Sequence, residues 1–373
     1  TRRSIDKMLA EANTEDDIHD DPPAEDILQS LLKEFPEVGN AKSPAWTSPE
    51  VSFESAYTRM QGIAGLPLRD SFHLGQTFSN DYGRPYQAGF NMIDGISGSA
   101  QEGRFSLYVR AEYQHAPSAA GYSPALFNLL SNDDLIPVAS NPVQATIPEG
   151  PIPAANDFRI VEANVSYRLF NHEFSFGKSD HWLAPAKGGS FSYSNNAENI
   201  YTFQIDRTEP LYVPLLSRLT GPFRYLFFVG SLKGHSDPND PWIHLEKISF
   251  KPTANVEMGF TRSTIWGGKG HEPITLHSFL KSFFSFQNVP ATEKYSRGDP
   301  GARFGTFDFS WRLPFLSHWV TLYADSLVHD DVSPIDAPRH AGIRSGIYLA
   351  MVPGIPKLDL RVEGVNTDPP TSR

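Results

Sequence analysis

Runs such as RFSLYVRAEYQ, residues 104–114, alternate apolar and polar side chains without a break. Successive side chains of a strand point to opposite faces, so this period belongs to β-structure and would be scrambled on a helix. Phe105, Leu107, Val109, Ala111 and Tyr113 fall on one face, and Ser106, Tyr108, Arg110, Glu112 and Gln114 on the other. FRIVEANVSYRLF repeats the pattern, with Val161, Ala163, Val165, Tyr167 and Leu169 against Glu162, Asn164, Ser166 and Arg168. RFGTFDFSWRL sets Phe307, Phe309 and Trp311 against Thr306, Asp308, Ser310 and Arg312. KLDLRVEG sets Leu358, Leu360 and Val362 against Asp359, Arg361 and Glu363.

Alternation alone describes any antiparallel sheet with one dry face. Length narrows it. Strands in soluble sandwiches run to about five or six residues, whereas several runs here reach about 9 to 11, the length that crosses a bilayer when tilted. The connections are uneven too: SDPNDP and VHDDVSPIDAPRH are long and proline-rich, while Phe170-Asn171-His172 makes a tight join. Tight turns at one end and long loops at the other are the habit of membrane barrels. Tyr, Trp and Phe gather near the strand ends, as an interfacial girdle requires. On periodicity alone, a large soluble β-sandwich or jelly roll remains an open alternative.

Composition removes other classes. The mean hydropathy of −0.36 is compatible with a barrel, because only alternate strand residues meet lipid. The most apolar stretch, LYVPLLSRLTGPFRYLFFVG, is broken by Pro214, Arg218, Pro222 and Arg224, so a membrane-spanning helix is not expected. A net charge of −11, from 43 acidic and 32 basic residues, argues against nucleic acid as a partner. With no cysteine there is neither a disulfide framework nor a thiolate metal site.

The first residues read differently. Residues 1–69 form an acidic segment, expected to be partly helical or a linker. Helical patterns run from Ile5 to Ala12 and from Ala24 to Phe35, with Pro22 and Pro23 between them. The run EDDIHDD lacks the spacing and the glycine of a calcium loop. Residues 70–373 are expected to form the all-β part, a large antiparallel transmembrane β-barrel of about 12 to 15 strands at roughly 20 to 25 residues per strand and connection.

One stretch does not fit a plain wall: FSFGKSDHWLAPAKGGSFSYSNNA, residues 174–197. It resembles the signature of the Wzi family of outer-membrane capsule assembly proteins, in Gly177, Lys178, Trp182, Pro185, Gly188, Gly189, Ser194, Asn195, Asn196 and Ala197. Further matches follow in order: Asp206, Arg207, Glu209 and Pro210, then Lys251, Pro252, Glu257, Gly259, Arg262 and the Gly267-Gly268 pair. Arg312 and Pro314, and finally Asp359, Arg361 and Glu363, complete the set over residues 70–365. The resemblance implies an outer-membrane location and a non-catalytic, lectin-like barrel that helps attach or organise capsular or extracellular polysaccharide. Family barrels look larger than this count of strands, which leaves open whether closing strands are absent.

Sugar hydroxyls call for paired donors and acceptors, uronate carboxylates for basic groups, and sugar C–H faces for an aromatic plate. Lys178, Asp180, His181, Trp182, Asn195 and Asn196 supply that mixture and are the expected polysaccharide-binding residues. The same amides could instead cap a turn, and the indole could belong to the girdle. Glu162, Arg168, Asp206, Arg207, Arg262, Asp308, Arg312, Arg361 and Glu363 are expected to form a charge network bracing the lumen, since charges in a confined interior need partners. No cofactor is expected, and no metal: His235, Asp237 and Asp240, like His329, Asp330 and Asp331, sit in loops without ligand spacing. No Gly-x-Ser-x-Gly elbow is present. A porin-like channel for small solutes is the alternative function, and a secreted β-rich glycan hydrolase a more distant one.

Overall fold

The computed structural model describes residues 49–65, 80–121, 123–133, 151–233, 239–269, 271–285, 290–329 and 341–367, the last two ranges with a few positions left out. The expected helices at Ile5–Ala12 and Ala24–Phe35 lie outside these residues. Among the described residues thirteen strands form one antiparallel sheet in strict sequence order. They are β1 (Glu50–Ile63), β2 (Gly89–Glu102), β3 (Phe105–Ala116), β4 (Ala155–Leu169), β5 (His172–Lys178), β6 (Tyr201–Arg207) and β7 (Phe223–Ser231). Then come β8 (Trp242–Thr253), β9 (Val256–Trp266), β10 (Ala302–Arg312), β11 (Val320–His329), β12 (Gly342–Leu349) and β13 (Leu360–Asn366). Three helices interrupt them among the described residues: α1 (Pro124–Asp133), α2 (Leu216–Thr220) and α3 (Leu276–Phe284). Among the described residues β1 pairs with β2 and β13 with β12, and the two end strands do not pair with each other.

The sheet starts at Glu50, inside the segment that the sequence reading set apart. The reason is legible in β1 itself: a bulge between Phe53 and Ser55 shifts the phase, so the alternation breaks near the start of the strand. A second bulge opposite Arg110 and Ala111 has a sharper effect on β4. Val161, expected to share a face with Ala163, Val165 and Tyr167, is instead 1% exposed. Phe158 and Ile160 carry the outward row before the bulge, and Val165 carries it after. Elsewhere the phase holds. Phe105, Leu107, Val109, Phe307, Phe309, Trp311, Leu360 and Val362 are all exposed, while Glu112, Gln114, Ser166 and Thr306 are buried on the other face.

An outward face carrying Phe, Ile, Val and Trp, backed by an inward face of charges and amides, is inside-out for a water-soluble sheet. It is favourable where the outer solvent is hydrocarbon. The two rims differ as expected. Short joins at 103–104, 170–171 and 254–255 mark one end, and the connections 64–88, 117–154, 179–200 and 267–301 mark the other. At the 170–171 turn Phe170 and Asn171 both have positive φ, 51° and 60°. That geometry matches the twist of a two-residue hairpin. Exposed Phe170, Tyr212, Leu219, Phe315 and Trp319 ring this short-turn end, where aromatic side chains favour the water–lipid boundary.

Candidate functional site

Among the described residues two connections fold inward. One is the segment 80–88 that precedes β2, and the other is the inner loop 179–200 between β5 and β6. They are joined to each other: Tyr82 N–H donates to the Asn195 carbonyl at 2.7 Å, Asn80 N–H to Asn196 Oδ1 at 3.1 Å, and Asn80 Nδ2 to the Gly188 carbonyl at 3.2 Å.

Asp180 anchors the inner loop at its start. Its carboxylate accepts from Tyr82 Oη at 2.6 Å, Asn195 Nδ2 at 3.1 Å and Asn199 Nδ2 at 2.5 Å, with Arg110 Nη2 at 3.4 Å. Glu162 accepts the Asp180 N–H at 3.1 Å and pairs with Arg110 Nε at 3.0 Å. Next to it, His181 is buried against Phe228, ring centroids 4.7 Å apart, with Tyr193 edge-on at 5.6 Å. Burial pushes its imidazole down to about 4, against a weaker upward pull from Asp180, so it is neutral at pH 7. Leu183, Phe228, Ile243 and Leu245 form a small apolar core beneath it. Trp182 Nε1 donates to the Ala186 carbonyl at 2.7 Å and closes the turn.

The far end of the loop reaches the opposite wall. Glu363 on β13 accepts Lys187 N–H at 2.8 Å, Gly188 N–H at 2.7 Å and Tyr323 Oη at 2.6 Å, with Arg361 at 3.9 Å. Asp325 on β11 accepts the Phe191 N–H at 2.9 Å, and the Arg344 guanidinium lies over the Phe191 ring at 5.2 Å. Gly189 has φ 149°, which favours glycine, and a Cβ at Gly188 would stand 2.6 Å from Glu363 Oε2, so that the carboxylate would have to shift. The loop thus ties β3 and β4 to β11, β12 and β13 through the interior. The sheet curls around it.

A second network fixes the segment 80–88. Arg84, 2% exposed, bridges Asp81 at 2.5 Å and Glu112, while Arg59 meets Asp81 at 2.7 Å. Tyr86 donates to Asp81 and Tyr57 to Glu112. Further round, Lys247 meets Asp308 at 2.7 Å and also donates to the Leu183 carbonyl.

The expected site residues separate accordingly. Asp180, His181, Trp182 and Asn195 come together, each engaged by the protein itself. Asn196 is exposed at the rim, and Lys178 pairs with Glu198 at 2.7 Å beside the Tyr201 ring. Of the charges expected in the lumen, Glu162, Asp308, Arg361 and Glu363 join the inner-loop network, and Arg168 pairs with Glu173 at 3.2 Å across β4 and β5. Asp206 sits opposite Glu173 on β6. Arg312 reaches the Ala254 carbonyl at 2.6 Å, at the short-turn rim. Two placements need correction. Arg207 shares the outward phase of Phe203 and donates to the Glu209 carbonyl at 2.8 Å. Arg262 lies on the outward phase of Met258 and Phe260 and donates to α3 carbonyls. Strand parity already separated Arg262 from the lumen. For Arg207 it placed Phe203 and Ile205 on the same face.

Asp81, Tyr82, Arg84, Asn199, Lys247, Asp325 and Arg344 were missed by sequence reasoning. Arg110 and Glu112 stood on the polar phase of β3 without being singled out. The available signal for the segment was DYGRPYQ itself, in which charged and phenolic groups cluster beside glycine and proline.

Comparison with known proteins agrees with this architecture. A family model described as capsule assembly protein Wzi matches residues 59–373. A Klebsiella pneumoniae protein, described as an uncharacterized 55.8 kDa protein in the cps region, is 25% identical over 175 residues. That match takes in 46% of this chain and 34% of the relative, so the chain spans about a third of that protein's length. Among solved structures, Wzi of Escherichia coli superimposes with a TM-score of 0.53 at 17% identity, covering 87% of this chain and 56% of that one. Its structure is titled as an outer-membrane protein involved in group 1 capsule assembly and a carbohydrate-binding β-barrel. The outer-membrane channel DcaP of Acinetobacter baumannii gives only 0.30 and does not bear on the fold. From the family match across most of its length, and the fold it shares with a solved barrel, the chain belongs to the Wzi family of capsule assembly proteins.

Proposed function

We propose that this chain forms the wall of an outer-membrane barrel that binds surface polysaccharide at its long-loop rim and does not transform it. The inner loop carries this reading. Its charged and amide groups are spent on one another and on the wall, from Asp180 to Glu363, which supports an obstructed interior over an open pore. It also supports a structural role for groups that could otherwise act as acid and base. Asn196–Glu198 of the same loop are exposed, and Glu198 pairs with Lys178 at the long-loop end of β5. Amide, ammonium and carboxylate groups at such a rim suit a hydroxyl-rich polymer.

The test is paired. Planar-bilayer recordings of the purified protein should stay silent, and a deletion strain should shed capsule that the full gene restores. Steady solute conductance would favour a channel and overturn the obstructed interior. Normal capsule retention in the deletion strain would remove the polysaccharide role.

A further inference from the structure

The outward wall is not apolar throughout. On β8, β9 and β10 the exposed row Ile248, Phe260 and Phe307 is followed, toward the long-loop rim, by Glu246 and Arg262 and then by His244, Thr264 and Arg303. These groups share the outward phase of Phe260, yet His244 and Thr264 are 0% exposed. The cover is α3. Ser282 Oγ bonds His244 Nε2 at 3.0 Å, and Arg262 donates to the carbonyls of Ser282 at 2.9 Å, Ser285 at 2.8 Å and Phe283. Arg262 therefore holds the helix C-terminus, where carbonyls lack partners and the helix dipole is negative. Glu246 accepts from His244 Nδ1 at 2.5 Å. Phe279 and Phe283 pack on Phe227, His244 and Trp266.

The height of this patch matters. Glu246 lies seven residues from the hairpin end of β8 at Thr253. A rise of about 3.3 Å per residue and a tilt of about 40° put it roughly 18 Å from the short-turn rim. That is inside an apolar band about 25 Å tall. On β3 and β4 the outward residues Tyr113 and Phe158 lie at least as far from their turn and are exposed. The face of α3 turned away from the strands carries an apolar stripe, Leu276, Leu280 and Phe284, spaced four apart and 73%, 43% and 64% exposed, with exposed His277 and half-buried Lys281 along one edge, where a long basic side chain can reach toward the headgroups. The inner side of the helix packs on the outward side of the strands, Phe279 and Phe283 against Phe227.

We propose that α3 is a lipid-facing helix docked on the outside of the barrel, with Leu276, Leu280 and Phe284 immersed in the outer-leaflet acyl region. It shields a polar patch that would otherwise meet hydrocarbon. The occupant of its free face is lipid, because the helix sits on the outward side of strands whose exposed rows are apolar and at a height inside the apolar band. The inference rests on the membrane reading of the wall, and the experiment separates the two. The chain has no cysteine, so single labels are unambiguous. Leu280→Cys, Phe309→Cys and Lys269→Cys, each carrying an environment-sensitive NBD dye, are compared in proteoliposomes with and without brominated acyl chains. Heat-modifiable gel mobility checks folding.

The expected result is blue-shifted emission at 280 and 309, quenched to a similar fraction by brominated lipid, with position 269 unquenched. Quenching at 309 alone, with water-like emission at 280, overturns the α3 proposal and leaves the barrel intact. Loss of quenching at both positions overturns the membrane reading itself. Blue-shifted but unquenched emission at 280 would place a second copy of the chain on the stripe and equally overturn the proposal.

Discussion

Replacing Glu363 by Ala should unlatch the inner loop from the far wall. In the native protein one carboxylate accepts two backbone N–H groups, from Lys187 and Gly188, and the Tyr323 hydroxyl. A hydrogen bond to a charged group contributes about 1.5–3 kcal/mol. Tyr323 can turn to water, so the two backbone donors set the scale, giving about 3–6 kcal/mol before solvation is considered. The site is partly solvated, with 14% of the Glu363 side chain exposed. Water therefore recovers some of the loss, and about 3 kcal/mol is the expected net effect. At about 1.4 kcal/mol per tenfold, opening of the loop tip should rise roughly a hundredfold. Native-state hydrogen exchange in detergent or nanodiscs reads this directly. The Lys187, Gly188 and Phe191 amides should exchange faster, while amides of β3 and β4 should not change. Unchanged protection at Gly188, in a variant that remains heat-modifiable, would refute the latch.

Other outcomes follow from the same geometry. Arg84→Met should destabilise the fold by about 3–5 kcal/mol, because it strips the buried Glu112 of its cation and leaves Asp81 with Arg59 alone; the midpoint of urea unfolding in detergent measures it. His181 is held neutral by burial, with a folded value of about 4 against 6.5 when exposed. The unfolded chain therefore binds the extra proton first, and stability falls as pH drops from 6.5 to 4, by about 3 kcal/mol. His181→Phe should flatten that part of the pH–stability curve. Gly346→Ala would place a methyl into the ring of Tyr323, which lies across that glycine. It should displace the Tyr323 bond to Glu363 and lower the melting temperature, while Gly364→Ala, with open space around it, should not.

The wall was readable because a two-residue period survives any tertiary context in which one face meets oil and the other polar groups. It failed where a bulge inserted one residue, which is why β1 was passed over and Val161 was given the wrong surroundings. The inner loop was noticed as a chemical oddity, but its partners were not, because Glu363 and Gly188 are 175 residues apart and no local pattern links them. The surroundings of His181 and Trp182, both expected to bind polysaccharide, were hidden for the same reason. An aromatic or imidazole on a loop carries no local sign of whether it faces a sugar or folds back on Phe228. Arg262 shows a different limit: parity puts it outside, and only the docked helix explains why a guanidinium is tolerated there.

Every strand pairs with its immediate neighbour in the chain, whereas the clasp joins groups separated by 175 and 176 residues. Short-range hairpins close quickly, and distant contacts must wait until the intervening chain is ordered. Assembly is therefore a zipper followed by a bolt. The ribbon can grow hairpin by hairpin at the bilayer, and the crossing segment seats only once both flanks stand in place. Until that moment the crossing segment holds only one of its two anchors.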